Sequence, residues 1–165
     1  MAQEEDIFKD IHNQKECIFC KIESNNNLAQ IVYKDESVFA FMDPRQYNPG
    51  HTLVLPRKHF HDVGELDPTT GSALMNALSK LTKGVSECFP NEGISIWHSI
   101  GPAAYQEVPH LHLHIHPRRL NDQMLKVYPK TPKNTEKKTL EEYASRLKHF
   151  VSMQEEEKQN AIICH

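Results

Sequence analysis

Residues 110–118 read His-Leu-His-Leu-His-Ile-His-Pro-Arg, so that four histidines alternate with three aliphatic residues. Successive side chains of an extended strand point to opposite faces. The pattern therefore predicts a strand with imidazoles about 6.6 Å apart on one wet surface. The other face would direct Leu111, Leu113 and Ile115 into a core. Because imidazoles titrate near neutral pH and commonly bind metals, the pattern indicates a catalytic surface or a metal site.

The composition predicts one globular domain and narrows the class of partner. The chain has 165 residues, 38% of them apolar, which is enough for a core. A net charge of −3 argues against a nucleic-acid partner. No apolar run approaches the roughly 20 residues that cross a bilayer, and the acidic start does not resemble a signal peptide. Four scattered cysteines favour a reducing, cytoplasmic location without a membrane partner.

Hydrophobic patterning predicts an α+β fold. Four further strands are expected at residues 31–33, 38–42, 51–55 and 93–97. Asp67-Pro68 is typical of a helix start, and a helical stripe follows it at Leu74, Leu78, Leu81 and Val85. This order predicts a five-stranded antiparallel sheet with one long helix, the helices lying on one side. Residues 17–22 are expected to form an apolar turn.

The composition changes after residue 119. Residues 121–138 contain lysine and proline as a linker does, and Thr139-Leu140-Glu141-Glu142 has the form of a capping box. A helical stripe follows, consisting of Leu140, Tyr143, Leu147, Phe150 and Val151. We expect a main domain over residues 16–119. We expect a C-terminal extension over 120–165, a linker plus an amphipathic helix that docks on its own domain or on a second subunit.

Alternate histidines on a strand suit nucleophilic chemistry at phosphorus. A neutral imidazole is a competent nucleophile when its second nitrogen is held as a donor. Neighbouring imidazoles that cannot all be protonated keep one of them neutral, and flanking donors stabilise phosphoryl charge. The competing use is a metal site. Cys17 and Cys20 also have metal-ligand spacing, and thiolates favour zinc, although a pair of buried free thiols fits the same spacing.

Four segments together resemble the histidine-triad (HIT) nucleotide-binding family. Residues 106–116, Gln-Glu-Val-Pro-His-Leu-His-Leu-His-Ile-His, resemble its signature, and residues 17–22, 41–43 and 50–59 are similar to family segments in the same order. The resemblance covers roughly residues 16–119, and it is closest to a microbial Hint-like branch with a C-x-x-C zinc pair. It implies a HIT-like fold, a homodimer and a purine nucleotide (AMP-like) substrate.

The resemblance also implies a reaction. It predicts a nucleotidyl hydrolase or transferase that cleaves a purine nucleoside 5′-phosphoramidate, or a related adenylylated substrate, at the α-phosphorus. His112 would form a covalent nucleotidyl-histidine, His114 would contact the phosphate and the leaving group, and His51 and His110 would orient the set. No catalytic metal is required. Asp43 would bind the ribose hydroxyls, and the other nucleotide-binding residues would be Ile18, Phe19, Ile22, Phe41, Ser99, Gln106, Glu107 and Val108.

A structural zinc ion is implied by the same resemblance, with Cys17, Cys20, His59 and His110 as its ligands. Two other functions stay open, namely hydrolysis of dinucleoside polyphosphates, as in the Fhit branch, and a non-catalytic nucleotide-binding or scaffold role. Ser99, Tyr105 and Glu107 stand where the family commonly has asparagine, glycine and a small hydroxyl residue. These departures leave the substrate preference open. His98 and His116 are additional histidines without an assigned role.

Overall fold

A computed structural model describes residues 17–25, 28–124 and 134–163, with side chains as far as residue 154. The chain divides after Asp122 into two compact units. Much of the predicted linker, residues 125–133, lies outside the described residues. The division at residues 119 and 120 remains a prediction.

The first unit is built on five antiparallel strands, β1 Ile31–Lys34, β2 Val38–Met42, β3 Thr52–Pro56, β4 Gly93–Trp97 and β5 Leu113–Arg118. They form one sheet in the order β1-β2-β3-β5-β4. Together with the helices, this sheet confirms the predicted α+β fold. β5 is the fourth strand in this order, between β3 and β4, so that a side chain on β5 has neighbours from both of these strands.

Two helices cover the sheet, α1 Ile18–Ser24 and α2 Pro68–Cys88. α2 begins as predicted, because the Asp67 carboxylate accepts a hydrogen bond from the Thr70 N–H at 2.8 Å. Its buried face packs with Val38, Ala40, Val54, Leu111 and Ile115. Residues 17–22 were expected to be a turn, but most of them belong to α1. This helix buries Phe19 and Ile22 with Phe39, Phe41, Leu53 and Leu55.

The sheet is therefore covered on both faces, and the expectation of helices on one side was wrong. Alternate residues of β2 and β3 belong to two different core clusters, one with α2 and one with α1. This double burial explains why β3 is buried along its whole length instead of alternating between buried and exposed positions.

The histidine stretch differs from its prediction in two ways. β5 begins at Leu113, so His110 and His112 precede the regular strand. The histidines also do not lie on a wet surface, since His110 is fully buried and His112 is only 6% exposed. The reason is α1, because the ring of Phe19 packs edge-on against both imidazoles, with centroids 5.8 and 5.1 Å away. The buried positions of Leu111 and Ile115 match the prediction.

The second unit contains α3, Lys137–Ile163. The helix begins before Thr139, so the predicted capping box lies inside its first turns. Its apolar stripe is exposed at each predicted position: Leu140, Tyr143, Leu147, Phe150 and Val151. Among the described helices, none has both the length and the apolar character needed to span a membrane.

Candidate active site and metal cluster

His112 lies immediately before β5 with one ring nitrogen fixed. Its Nδ1 is 2.6 Å from the carbonyl oxygen of His110. A carbonyl oxygen only accepts, so Nδ1 carries the proton and Nε2 carries the lone pair. Burial lowers the pKa of His112 below its ordinary 6.5. His112 is therefore a neutral imidazole near pH 7, with Nε2 available as a nucleophile.

A second pair of imidazoles forms a hydrogen-bonded chain beside His112. Nδ1 of His51 lies 3.2 Å from the carbonyl oxygen of Arg45, and Nε2 of His51 lies 2.9 Å from Nδ1 of His114. The carbonyl requires a proton on His51 Nδ1, so His51 Nε2 accepts from the Nδ1–H of His114. In neutral His114 the lone pair is then on Nε2. The chain fixes the tautomers of both rings.

The environment of this pair disfavours additional positive charge. Burial, followed by the neighbouring His112 and His51, lowers the pKa of His114 to about 3. Burial also lowers the pKa of His51. A nearby anion raises the pKa of an imidazole. A phosphate bound beside His114 would therefore favour its protonation, and the same ring would be neutral without the phosphate.

Trp97 and His116 form a second layer of rings against His51 and His114. The indole of Trp97 lies parallel to the His114 ring, with centroids 4.7 Å apart and planes at 11°. The His116 ring lies 4.4 Å from that of His51 at 41°, and 5.5 Å from Trp97 at 28°. Sequence reasoning assigned no role to either residue. Trp97 pairs with His114 in the register of β4 and β5. This register would have identified Trp97 as a neighbour of His114.

Asp43 is held at the end of β2, where it is 3% exposed. Its Oδ1 accepts a hydrogen bond from the Arg45 N–H at 2.7 Å, and its Oδ2 lies 3.8 Å from Nδ1 of His51. Gln46 stabilises the loop between β2 and β3. Its Nε2 donates to the carbonyls of Asp43 and His51, and its Oε1 accepts from the backbone N–H groups of Gly50 and His51. Gln46 was not predicted, yet it positions both predicted site residues.

The structure brings together most of the apolar residues that were predicted to bind the nucleotide. Phe19 and Phe41 pack edge to face at 5.7 Å in the α1 cluster, and Ile22 and Val108 pack in the same cluster. Phe19 brings this apolar surface next to the His112 ring. Ile18, in contrast, is 46% exposed and does not belong to the buried cluster.

The segment before β5 carries the remaining predicted residues. The Gln106 side chain accepts from the Gly101 N–H at 2.9 Å and donates to the His61 carbonyl at 3.1 Å, so it joins its own loop to the segment after β3. Ser99 is partly buried just after β4. The Glu107 carboxylate makes a two-point contact with the Arg45 guanidinium, at 2.7 and 3.1 Å.

The contact with Arg45 explains how a carboxylate is tolerated at position 107. The arginine holds the pKa of Glu107 below its ordinary value, so the acid is ionised and its charge is balanced. Arg45 was not identified from the sequence. Another unpredicted contact comes from His98, whose Nδ1–H donates to the His112 carbonyl at 3.1 Å.

Cys17, Cys20, His59 and His110 converge at the start of α1, with all four ligand atoms within 4.8 Å of one another. Three measured edges join Sγ and Nδ1 atoms, 3.4 Å for Cys17–His110, 3.3 Å for Cys20–His59 and 3.5 Å for Cys20–His110. Tetrahedral zinc with its usual bond lengths has ligand–ligand edges of about 3.5 Å. The donor set therefore fits zinc.

The protonation of the cluster agrees with this fit. Nε2–H of His110 donates to the Pro56 carbonyl at 3.2 Å, which leaves the lone pair on Nδ1, the atom that faces the two thiols. Burial, and then the adjacent Cys17, raises the pKa of the Cys20 thiol to about 12. The Cys20 thiol therefore gives up its proton near neutral pH only when a cation replaces it.

Comparison with known proteins identifies relatives over the first unit. The family model described as HIT domain matches residues 24–121. Protein hit of Bacillus subtilis is 36% identical over 108 residues, which cover 66% of this chain and 74% of that protein. Adenylylsulfatase HINT3 of Arabidopsis thaliana is 26% identical over 109 residues, 66% of this chain and 55% of that protein.

Solved structures show the same fold. A crystal structure of a HIT family member from Bacillus subtilis matches with a TM-score of 0.72 and 30% identity, covering 81% of this chain and 96% of that one. A zinc-bound histidine-triad family protein from Mycobacterium smegmatis matches with a TM-score of 0.61 and 31% identity, covering 73% of this chain and 86% of that one.

Proposed function

The chain belongs to the histidine-triad (HIT) family of nucleotide-binding hydrolases and transferases, and we propose that it hydrolyses purine nucleoside 5′-phosphoramidates or related adenylylated compounds at the α-phosphorus. The observation that carries the proposal is the hydrogen bond between His112 Nδ1–H and the His110 carbonyl. It leaves Nε2 of a neutral imidazole as the nucleophile, next to a second imidazole suited to proton transfer.

The reaction has two steps. In the first, Nε2 of His112 forms a bond to the α-phosphorus while the P–N bond breaks, and the leaving nitrogen takes the electron pair and a proton from Nε2 of protonated His114. In the second, water attacks the nucleotidyl-histidine, its proton passes to His114, and the bond from phosphorus to His112 breaks. The products are AMP and an amine, and the enzyme regains its starting protonation state.

The nucleotide is bound by groups on either side of His112. We place the ribose hydroxyls on the Asp43 carboxylate, because hydrogen bonds to an ionised acceptor are strong and directional. The base would lie against the apolar surface that Phe19, Phe41 and Val108 share with Ile22, with Ile18 at its exposed edge. Ser99, Gln106 and Glu107 would border the phosphate, the charge of Glu107 being balanced by Arg45.

A second candidate reaction is cleavage of an adenylyl compound with an anionic leaving group, because one relative is named an adenylylsulfatase. Attack by His112 would be the same, but sulfate needs no proton to depart. Hydrolysis of dinucleoside polyphosphates belongs to this group, and a nucleotide-binding scaffold role is the non-catalytic alternative. A substrate panel separates them, since a scaffold would bind AMP and turn over none of the compounds.

We further propose that Cys17, Cys20, His59 and His110 bind a structural zinc ion. Zinc would supply a closed, four-coordinate crosslink between α1, the segment after β3 and the segment before β5, and it would take no part in the reaction. The related zinc-bound structure and the measured donor spacing support this. We also propose a cytoplasmic location, because a reducing compartment suits such thiols.

The proposed assembly is a homodimer. Residues 16–119 would form the HIT domain and residues 120–165 a C-terminal extension, whose helix α3 has an exposed apolar stripe.

Trapping the intermediate tests the function. Wild-type protein mixed with an adenosine 5′-phosphoramidate and quenched in base should carry AMP on His112 by mass spectrometry. His112→Asn should lose both the adduct and the turnover while it still binds AMP by calorimetry. His149→Asn, the same substitution at an exposed histidine of α3, is the matched control. An adduct on another side chain, or turnover without any adduct, would refute the proposal.

A further inference from the structure

The protonated form of His114 has few partners that favour it. The cationic groups that act most strongly on this ring are His112 and His116 from the β5 segment, His51 from just before β3 and His98 from just after β4. Each is a histidine, so each opposes a second positive charge. The carboxylate of Asp43 lies nearby, with one oxygen within 4.8 Å of a ring nitrogen of His114, and it also faces His51.

The face of Trp97 is a further feature that favours the cation. An aromatic face is electron-rich and attracts a cation within about 6 Å of its centroid, most strongly when the ring is an indole. The imidazole of His114 lies within this range, parallel to the indole at 4.7 Å and 11°. His116 packs beside Trp97 and against His51, so the two residues together support the whole hydrogen-bonded pair.

We propose that Trp97 is a positioning residue for His114, an inference that rests on the proposed function: the indole face holds the imidazole parallel to it and stabilises its protonated form, so that His114 can protonate a basic leaving group. The substrate class that needs this help is a nucleotidyl amide of an alkylamine. Sulfate or a nitrophenolate departs without a proton, so Trp97 contributes little to cleavage of those compounds.

The fluorescence of Trp97 tests the contact without requiring turnover. Trp97 is the one tryptophan of the chain, and a protonated imidazole in contact with indole quenches its emission. Emission is followed from roughly pH 8 to pH 3, with and without AMP, because a bound phosphate raises the pKa of a neighbouring imidazole. The emission should fall on acidification, and AMP should move the transition to higher pH. The larger part of the quench should be lost in His114→Asn, because His116 and His51 lie farther from the indole than His114 does, and the quench should persist in His116→Asn.

A quench of undiminished size in His114→Asn, or the absence of a quench from wild-type protein, would overturn the proposal. Because this readout does not depend on catalysis, an enzyme that shows the quench but cleaves none of the panel compounds would refute only the proposed function.

The dependence on the leaving group tests the consequence for catalysis. Losing a cation–π contact changes a rate constant by about 2- to 30-fold, so Trp97→Leu should lower kcat/KM by that factor on an adenosine 5′-phosphoramidate of an alkylamine. The p-nitrophenyl ester of AMP should change by less than about twofold. Trp97→Phe keeps a weaker aromatic face, so its kcat/KM on the phosphoramidate should lie between those of wild-type protein and Trp97→Leu. Ile96→Val, at the neighbouring exposed position of β4, is the control.

An equal loss of kcat/KM with both leaving groups would mean that Trp97 only packs against the site, and it would overturn the proposal. No loss of kcat/KM with either substrate would overturn it as well. If Trp97→Leu does not fold, Trp97→Phe provides the test. The ratio of its kcat/KM on the phosphoramidate to its kcat/KM on the p-nitrophenyl ester must be lower than in wild-type protein.

Discussion

Replacing Cys20 by serine should destabilise the protein by removing zinc. Cys20 is the informative thiol, because its Sγ contacts Nδ1 of both His59 and His110, at 3.3 and 3.5 Å. These contacts join α1 to two segments that are 39 and 90 residues away along the chain. A serine hydroxyl at this position is a much poorer zinc ligand than a thiolate. The variant would therefore lose the zinc ion that joins α1 to the segments carrying His59 and His110.

The size of the effect follows from the coordination. Structural zinc binds with roughly 10 to 16 kcal/mol, or about 3 kcal/mol for each of four ligands. A ligand bound only by the folded state at a thousandfold excess over its Kd adds about 4 kcal/mol to the free energy of unfolding. For a unit of roughly 100 residues, 1 kcal/mol corresponds to about 4 °C in Tm. We expect Cys20→Ser to lower Tm by about 10 to 15 °C.

The assay pairs elemental analysis with thermal unfolding followed by circular dichroism. Wild-type protein should contain one zinc per chain and lose the same Tm increment in a chelator. Cys88→Ser, which changes an exposed cysteine outside the cluster, should retain both the zinc and the Tm. Zinc should also be released on acidification, because the metal competes with protons for a thiol whose pKa without metal is about 12. Wild-type protein without zinc, or Cys20→Ser with unchanged zinc and Tm, would refute this reasoning.

Three other predictions concern the site. Asp43→Asn should weaken AMP binding by about tenfold, the worth of a charged hydrogen bond, and leave 2′,3′-dideoxy-AMP binding unchanged by calorimetry; equal losses would contradict the ribose contact. The pKa of His114 is about 3 when folded against 6.5 when unfolded, so the unfolded chain takes up the proton first. Stability in urea should thus be full above pH 6.5 and fall towards pH 3, more steeply in wild type than in His114→Asn, and parallel profiles would contradict this. Glu107→Ala should cost less than about 1 kcal/mol in the same urea assay, because its pair with Arg45 is exposed, and a larger loss would show a structural role.

Features that depend on local chemistry were predictable from the sequence. The Asp67-Pro68 start of α2 and four of the five strands lie close to where the pattern placed them. For the helix and the strands, a short segment carries its own signal through a cap or a turn. The spacing of Cys17 and Cys20 is also a local signal, but the meeting of this pair with His59 and His110 was implied only by the family resemblance.

Features that depend on strand register and on helix docking were not predictable. The indole of Trp97 meets His114 only because β4 pairs with β5 in one register. Arg45 meets Glu107 across 62 residues of sequence. The burial of His110 and His112 follows from the docking of α1, a helix that the apolar residues 17–22 did not indicate. Periodicity showed which side chains share a face, but not what covers that face.

His110 has two attachments that no substitution at that position can separate. Its ring belongs to the cysteine cluster, while its main-chain oxygen holds the neighbouring nucleophile in the reactive tautomer. A substitution of His110 keeps the carbonyl oxygen, but it removes the ring that fixes the position of this oxygen. The loss of activity in such a variant would therefore not by itself show that His110 takes part in the reaction. Substitutions of Cys17 or Cys20 disrupt the metal cluster while all the histidines stay in place. They therefore report more directly what the cluster contributes to activity.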